Sequence, residues 1–213
     1  MIERILPAAV IAVEAYEDPP DAALFPEEEQ VIAKSVEKRR REFTTARHCA
    51  RQALARLGLP PAPILPGERG APGWPDGVVG SMTHCDGYRA AAVARSRELA
   101  SVGIDAEPHA PLPGGVLDAI AREEELPHLD ELRRASPGVH WDRLLFCAKE
   151  AVYKTWFPVT HRWLGFEDAT LTFDPGGTFR ARLLARDTPF AALDGRWTAD
   201  GGLIAAAIAV KPL

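Results

Sequence analysis

The chain has 213 residues, 46% hydrophobic and 26% charged, with 30 acidic side chains against 25 basic ones and a formal net charge of −5. This supports one packed core or two and excludes disorder, a coiled coil and a membrane bundle. The acidic balance also excludes a polyelectrolyte binder of nucleic acid.

Ile5–Tyr16 predicts a buried strand, short and apolar, ended by Asp18-Pro19-Pro20. Glu3 and Arg4 precede that run and no cleavage signature follows, so it does not read as a secretory signal. Pro26-Glu27-Glu28-Glu29 opens a helix, with proline and acids in the first turn. Helical spacing, with one break allowed, continues through Phe43, Ala46, Ala50, Ala53 and Leu57 to the stop at Gly58. Residues 60–77 are dense in proline and glycine and predict a loop. Val78–His84 and Tyr88–Arg95 predict two strands joined at Cys85-Asp86-Gly87, and Ser101–Glu107 predicts a third. Helices follow over Val116–Arg134 and Trp141–Trp156, then strands over Ala169–Phe173, Phe179–Leu184 and Leu203–Val210.

Strand, helix and two strands are thus followed by strand, helices and three strands. The repetition predicts an α/β (α+β) fold of two similar lobes in a pseudo-twofold arrangement, residues 1–107 and 108–213. The active site is expected at their interface. Cys49, Cys85 and Cys147 are odd in number and form no CxxC pair, which argues against a disulfide framework and fits a reducing, cytoplasmic setting. No run approaches the length of a membrane span.

Four patterns carry chemistry. In Gly103-Ile104-Asp105-Ala106-Glu107 the two acids are two apart near a strand end, so both carboxylates share a face. Such hard oxygen donors suit Mg²⁺ shared with substrate phosphate; two solvated surface acids would give the same string. Lys149-Glu150-Ala151-Val152-Tyr153-Lys154 lies on the last helix, with Glu150 and Lys154 one turn apart and off the apolar stripe of Trp141, Leu145, Ala148, Val152 and Trp156. That pair is either an ordinary surface ion pair or a third carboxylate with a cation for phosphate. Gly80-Ser81-Met82-Thr83-His84 puts a hydroxyl and a histidine at a strand end. Lys38-Arg39-Arg40-Arg41 and Arg47 place cations along a helix whose Phe43 packs inward.

Together, RREFTTARHCARQAL, the WPDG and GSMTH segments, VGIDAEP, and FCAKEAVYKTWFP with RWLGFED resemble the 4′-phosphopantetheinyl transferase family, over most of the chain and in the family's order. The likeness is to the large, monomeric, two-lobed surfactin and enterobactin-synthase type. The resemblance implies transfer of the phosphopantetheine arm of coenzyme A to a serine of acyl or peptidyl carrier proteins, releasing 3′,5′-ADP. These carriers would serve polyketide, siderophore-peptide or lipid synthases. It implies Mg²⁺ or Mn²⁺ on Asp105, Glu107 and Glu150, with the Ala106 carbonyl adding an oxygen. Glu150 and Lys149 are the implied catalytic pair, Glu150 as candidate base for the serine hydroxyl. Lys154 is implied at the pyrophosphate, and Arg39 and Arg47 at the 3′-phosphate. Thr83 and His84 would meet the 3′-phosphate or adenosine end, and Leu164 the pantetheine arm. The loop before WPDG departs from relatives that carry a lysine there: Arg69 is its only cation. A Mg²⁺-dependent phosphohydrolase of coenzyme A or nucleotides, and a non-catalytic binding module, are the competing readings.

Overall fold

The computed structural model describes residues 1–212. Its strands are β1 (Ile11–Ala15), β2 (Val78–Cys85), β3 (Tyr88–Arg95), β4 (Ser101–Pro108), β5 (Ala169–Asp174), β6 (Thr178–Leu183), β7 (Ala192–Asp200) and β8 (Leu203–Val210). Its helices are α1 (Pro26–Val31), α2 (Glu37–Arg56), α3 (Val116–Ile120), α4 (Leu126–Ala135) and α5 (Trp141–Thr160). The strands form a three-stranded sheet, β1-β3-β2, and a five-stranded sheet, β4-β8-β7-β6-β5, antiparallel throughout. The mixed α/β class is the one expected from sequence. The expected division at 107/108 falls at the end of β4, and β4 hydrogen-bonds into the five-stranded sheet along its whole length.

Each sheet carries one long helix. Ala50, Ala53 and Leu54 of α2 pack on Val13, Ala91 and Val93. Leu144, Ala148, Val152 and Trp156 of α5 pack on Ile204, Ala206 and Ile208. A further core lies on the opposite faces of both sheets, where Ala90, Ala92, Ile104, Ala106, Ala205 and Ala207 meet Ile2 and Ile5. The alternation is strict: along β4, Ile104 and Ala106 enter that core, so Gly103, Asp105 and Glu107 face α5.

Several boundaries differ from the sequence reading. The first strand is shorter, because Ile2–Ile5 forms a 3₁₀ turn and Pro7 separates it from β1. The helix opened at Pro26 ends at Val31, and α2 starts afresh after the extended Val36. The helix expected over 116–134 is α3, a 3₁₀ turn at Glu123–Glu125, and α4. α5 runs past Trp156 to Thr160 and takes Pro158 into its last turn, ending at the left-handed His161. β7 is a strand the sequence reading lacks. Its inward positions are Leu193, Gly195 and Trp197, and the glycine disguises the alternation. Gly195 is required there: a Cβ would lie 2.8 Å or less from the Phe179 ring.

Candidate active site

The site begins with the contact between β4 and α5. At Gly103 a Cβ would collide with Ala151 O and Thr155 Oγ1 and lie 2.8 Å from Thr155 N, so the helix rests directly on the strand backbone. Arg143, Glu150 and Lys154 lie on the side of α5 turned to this strand's acidic face. Lys154 Nζ donates to Asp105 Oδ1 at 2.7 Å and to Met82 O at 3.3 Å. Arg143 Nη1 donates to Glu107 Oε2 at 2.9 Å.

Between α2 and α5 opens a cleft of about 480 Å³, lined in part by Arg39, Arg47, Arg69, His84, Glu150 and Lys154. Arg39 Nη1 approaches His84 Nε2 at 2.6 Å. A guanidinium only donates, so Nε2 is the accepting nitrogen and the ring proton sits on Nδ1. Glu42 Oε2 is 3.6 Å from that Nδ1. Burial, helped by Arg39, Lys154 and Arg89, pushes the His84 pKa down against the pull of Glu42. Arg47 Nε donates to Ile64 O at 2.9 Å, and its guanidinium lies over the Phe43 ring, 3.2 Å from the centroid. Burial pushes Arg47 down to about 10, which leaves it charged at neutral pH. Arg69 adopts a left-handed backbone, φ 53°, and stacks over Trp163 at 5.2 Å.

The carboxylates feel one another. Burial and then the charge of Asp105 raise the Glu150 pKa, while Lys154 opposes. The same two causes raise Glu107, against Arg143 and Lys154. Burial works to lower Lys154, but Asp105 and Glu150 override it and the net shift is upward.

Four expected residues do not line this cleft. Thr83 is buried, with its hydroxyl on Asp105 Oδ1 at 3.0 Å, and does not line the cleft as His84 does. Neighbours on a strand point to opposite faces, so the Thr83 and His84 side chains project from different sides of β2. Lys149 spends its three donors on Ile120 O, Glu125 Oε2 and Phe166 O, at 2.7, 2.8 and 2.9 Å. Leu164 is buried in a smaller cavity of about 130 Å³ that shares Glu150 and Tyr153 with the cleft. Ala106 is wholly buried, and its N–H is bonded to Thr83 Oγ1 at 3.1 Å.

Sequence reasoning missed Glu28, Glu42 and Arg143. Glu28 is fully buried: Arg51 Nη1 donates to its two oxygens at 3.0 and 2.9 Å, and the Phe25 and Ile64 amides donate at 2.9 and 2.8 Å. It ties α1 and α2 to the loop beneath Arg47. In sequence it reads as one of three first-turn acids. Arg143 did carry a signal, since it lies seven residues before Glu150 on the same helix face.

The profile of the 4′-phosphopantetheinyl transferase N-terminal domain matches residues 27–94, and that of the 4′-phosphopantetheinyl transferase superfamily matches residues 101–208. The 4′-phosphopantetheinyl transferase Npt of Nocardia iowensis is 56% identical over 98% of this chain and 99% of its own. The transferase Svp of Streptomyces mobaraensis is 53% identical over 99% of this chain and 89% of its own, and PptT of Mycobacterium tuberculosis 52% over 98% and 97%. The chain belongs to the 4′-phosphopantetheinyl transferase superfamily.

In this transferase, no three His, Cys, Asp or Glu side chains among the described residues stand together as a metal cluster. Asp105 Oδ2 nevertheless fits a divalent ion: it is buried and has no hydrogen-bond partner. Such an orphaned carboxylate oxygen, beside two further acids whose pKa values it raises, is a donor set a hard cation would relieve. Among the described residues no helix is long and apolar enough to cross a membrane. The three cysteines are buried and free, and burial raises their thiols, Cys49 to about 11 and Cys85 to about 12.

Proposed function

We propose that this chain transfers the 4′-phosphopantetheine arm of coenzyme A to a serine of acyl or peptidyl carrier proteins. One observation carries the reading: Arg39, Arg47, His84 and Lys154 converge on one cleft with Glu150, a carboxylate whose pKa is raised. Three cations, Arg39, Arg47 and Lys154, gathered with a basic carboxylate suit phosphoryl transfer at a pyrophosphate. Membership of the superfamily points the same way.

Arg39, Arg47 and His84 bind the 3′-phosphate, with Arg69 closing that side. Arg47 suits this because its Nε is engaged by Ile64 O, which fixes the guanidinium fork. Lys154 binds the pyrophosphate as a point charge. Leu164 lines the smaller cavity, which takes the pantetheine arm. The serine Oγ attacks the phosphorus that carries pantetheine. The bond from that phosphorus to the bridging oxygen breaks, and 3′,5′-ADP leaves with the electron pair. Glu150 accepts the serine proton, and its raised pKa makes it a better base than an ordinary carboxylate. Lys149 acts through the loop it holds rather than on substrate.

Asp105, Glu107 and Glu150, with the Ala106 carbonyl, would hold Mg²⁺ or Mn²⁺. Bound there, the ion neutralises pyrophosphate charge. Support for the site is the free Oδ2 of Asp105. We assign the chain to the two-lobed, monomeric, surfactin-synthase type, with one lobe built on each sheet. The cleft draws its lining from both halves of one chain, so a single copy suffices. Free buried thiols fit a cytoplasmic location.

The test is intact-mass analysis of an apo carrier protein incubated with this chain, coenzyme A and Mg²⁺. A gain of one phosphopantetheine, lost with Asp105→Ala or without metal, is expected. Coenzyme A consumed with no gain on any carrier would replace the reading with a hydrolase.

A further inference from the structure

β2 and β4 are neighbouring edge strands of different sheets, and two hydroxyls bridge them. Ser81 Oγ accepts the Ile104 amide at 3.2 Å, and Thr83 Oγ1 accepts the Ala106 amide at 3.1 Å. Both hydroxyls are buried. They differ in two respects: Ser81 borders the cleft, and only Thr83 reaches a carboxylate. Thr83 gives its single proton to Asp105 Oδ1, 3.0 Å away, where Lys154 Nζ also donates. Asp105 Oδ2 is left buried and unpartnered.

Two donors on one oxygen fix the rotation of a carboxylate. Lys154 alone, on a flexible stem, would let the group turn and present either oxygen. Thr83 is a stiff β-branched residue held at its own acceptor side by the Ala106 amide. We propose that Thr83 is a positioning residue: it locks the Asp105 carboxylate so that Oδ2 stays open to a divalent ion, and it ties that aim to the junction of the two sheets. The proposal rests on the reading of Asp105 as a metal ligand.

Ser81 provides the comparison. It makes the same bridge and touches no carboxylate. The experiment measures Mn²⁺ binding to the whole chain, without substrates, from the electron paramagnetic resonance signal of free Mn²⁺, with thermal unfolding alongside. Groups that orient a metal ligand are worth about 10- to 100-fold in metal affinity. Thr83→Val should weaken Mn²⁺ binding at least about tenfold. Thr83→Ser, which keeps the hydroxyl, should restore it. Ser81→Ala should lower the melting temperature about as much as Thr83→Val and leave Mn²⁺ affinity unchanged. Thr83→Ala replaces the valine variant if that one does not fold. The proposal is overturned if Thr83→Val or Thr83→Ala binds Mn²⁺ as the unaltered chain does, or if Ser81→Ala weakens binding equally. Absence of Mn²⁺ binding by the unaltered chain would overturn the metal reading of Asp105, and this proposal with it.

Discussion

Gly103→Ala is the sharpest single test of how the site is assembled. The added methyl meets backbone as well as the Thr155 hydroxyl: Thr155 N lies 2.8 Å from the new Cβ, and Ala151 O is closer still, so turning the side chain away gives no relief. Ordinary contact begins near 3.4 Å. Helix α5 must therefore back away from β4 by about 1 Å, because its own packing prevents local evasion. Overpacking of this kind costs about 1–3 kcal/mol. For a chain this size that lowers the melting temperature by roughly 5 °C. The functional loss should be larger than the stability loss suggests. The same movement carries Lys154 off Asp105, now at 2.7 Å, and shifts Glu150 with it. A displacement of about 1 Å at reacting groups costs about 100-fold in rate. The assay is calorimetry together with steady-state transfer to an apo carrier protein. A folded Gly103→Ala protein with wild-type kcat would refute the claim that this close approach sets the register of Lys154 and Glu150 over the acidic strand.

Other predictions follow from single contacts. Arg39→Ala should raise the KM for coenzyme A about 10- to 100-fold, the worth of a charged hydrogen bond, and leave the KM for dephospho-coenzyme A unchanged; equal losses on both would remove Arg39 from the 3′-phosphate. His84 has a lowered pKa in the free protein, so the unfolded chain takes its proton first as pH falls. Stability should accordingly decline as pH drops through about 6.5, and His84→Gln, compared by calorimetry at pH 5.5 and 7.5, should decline less. Lys149→Met strands the buried Glu125 carboxylate and should cost about 3–5 kcal/mol, whereas Lys149→Met with Glu125→Leu should recover much of it; a direct catalytic role would leave the double variant stable but inactive.

The acidic strand and the motif helix were legible because each is governed by a local period. Spacing of two put Asp105 and Glu107 on one side of β4, and spacing of four put Glu150 and Lys154 on one side of α5. Where a role depends on a partner from a distant segment, the local period says nothing. Lys149 resembles a phosphate ligand until Glu125 is seen beneath it, and Glu125 lies in a 3₁₀ turn that sequence periodicity absorbed into one long helix. Glu28 is concealed in the same way among first-turn acids. Thr83 is different, since strand alternation alone separates it from His84.

The two sheets explain why the halves of the site were individually readable and their meeting was not. Arg39, Arg47 and His84 belong to the half built on β1-β3-β2, whereas Glu150 and Lys154 belong to the half built on the other sheet. No backbone ladder sets the register between them. Two hydroxyls do, together with Lys154, which reaches across to Met82 O. A ladder would fix the sheets through many equivalent bonds and tolerate the loss of one. Here the junction and the orientation of Asp105 depend on the same side chain, so a change at Thr83, which does not line the cleft, is transmitted to the carboxylate. On the proposed reading of Asp105 as a metal ligand, that arrangement puts stability and metal affinity on one hydroxyl at Thr83 and separates them at Ser81.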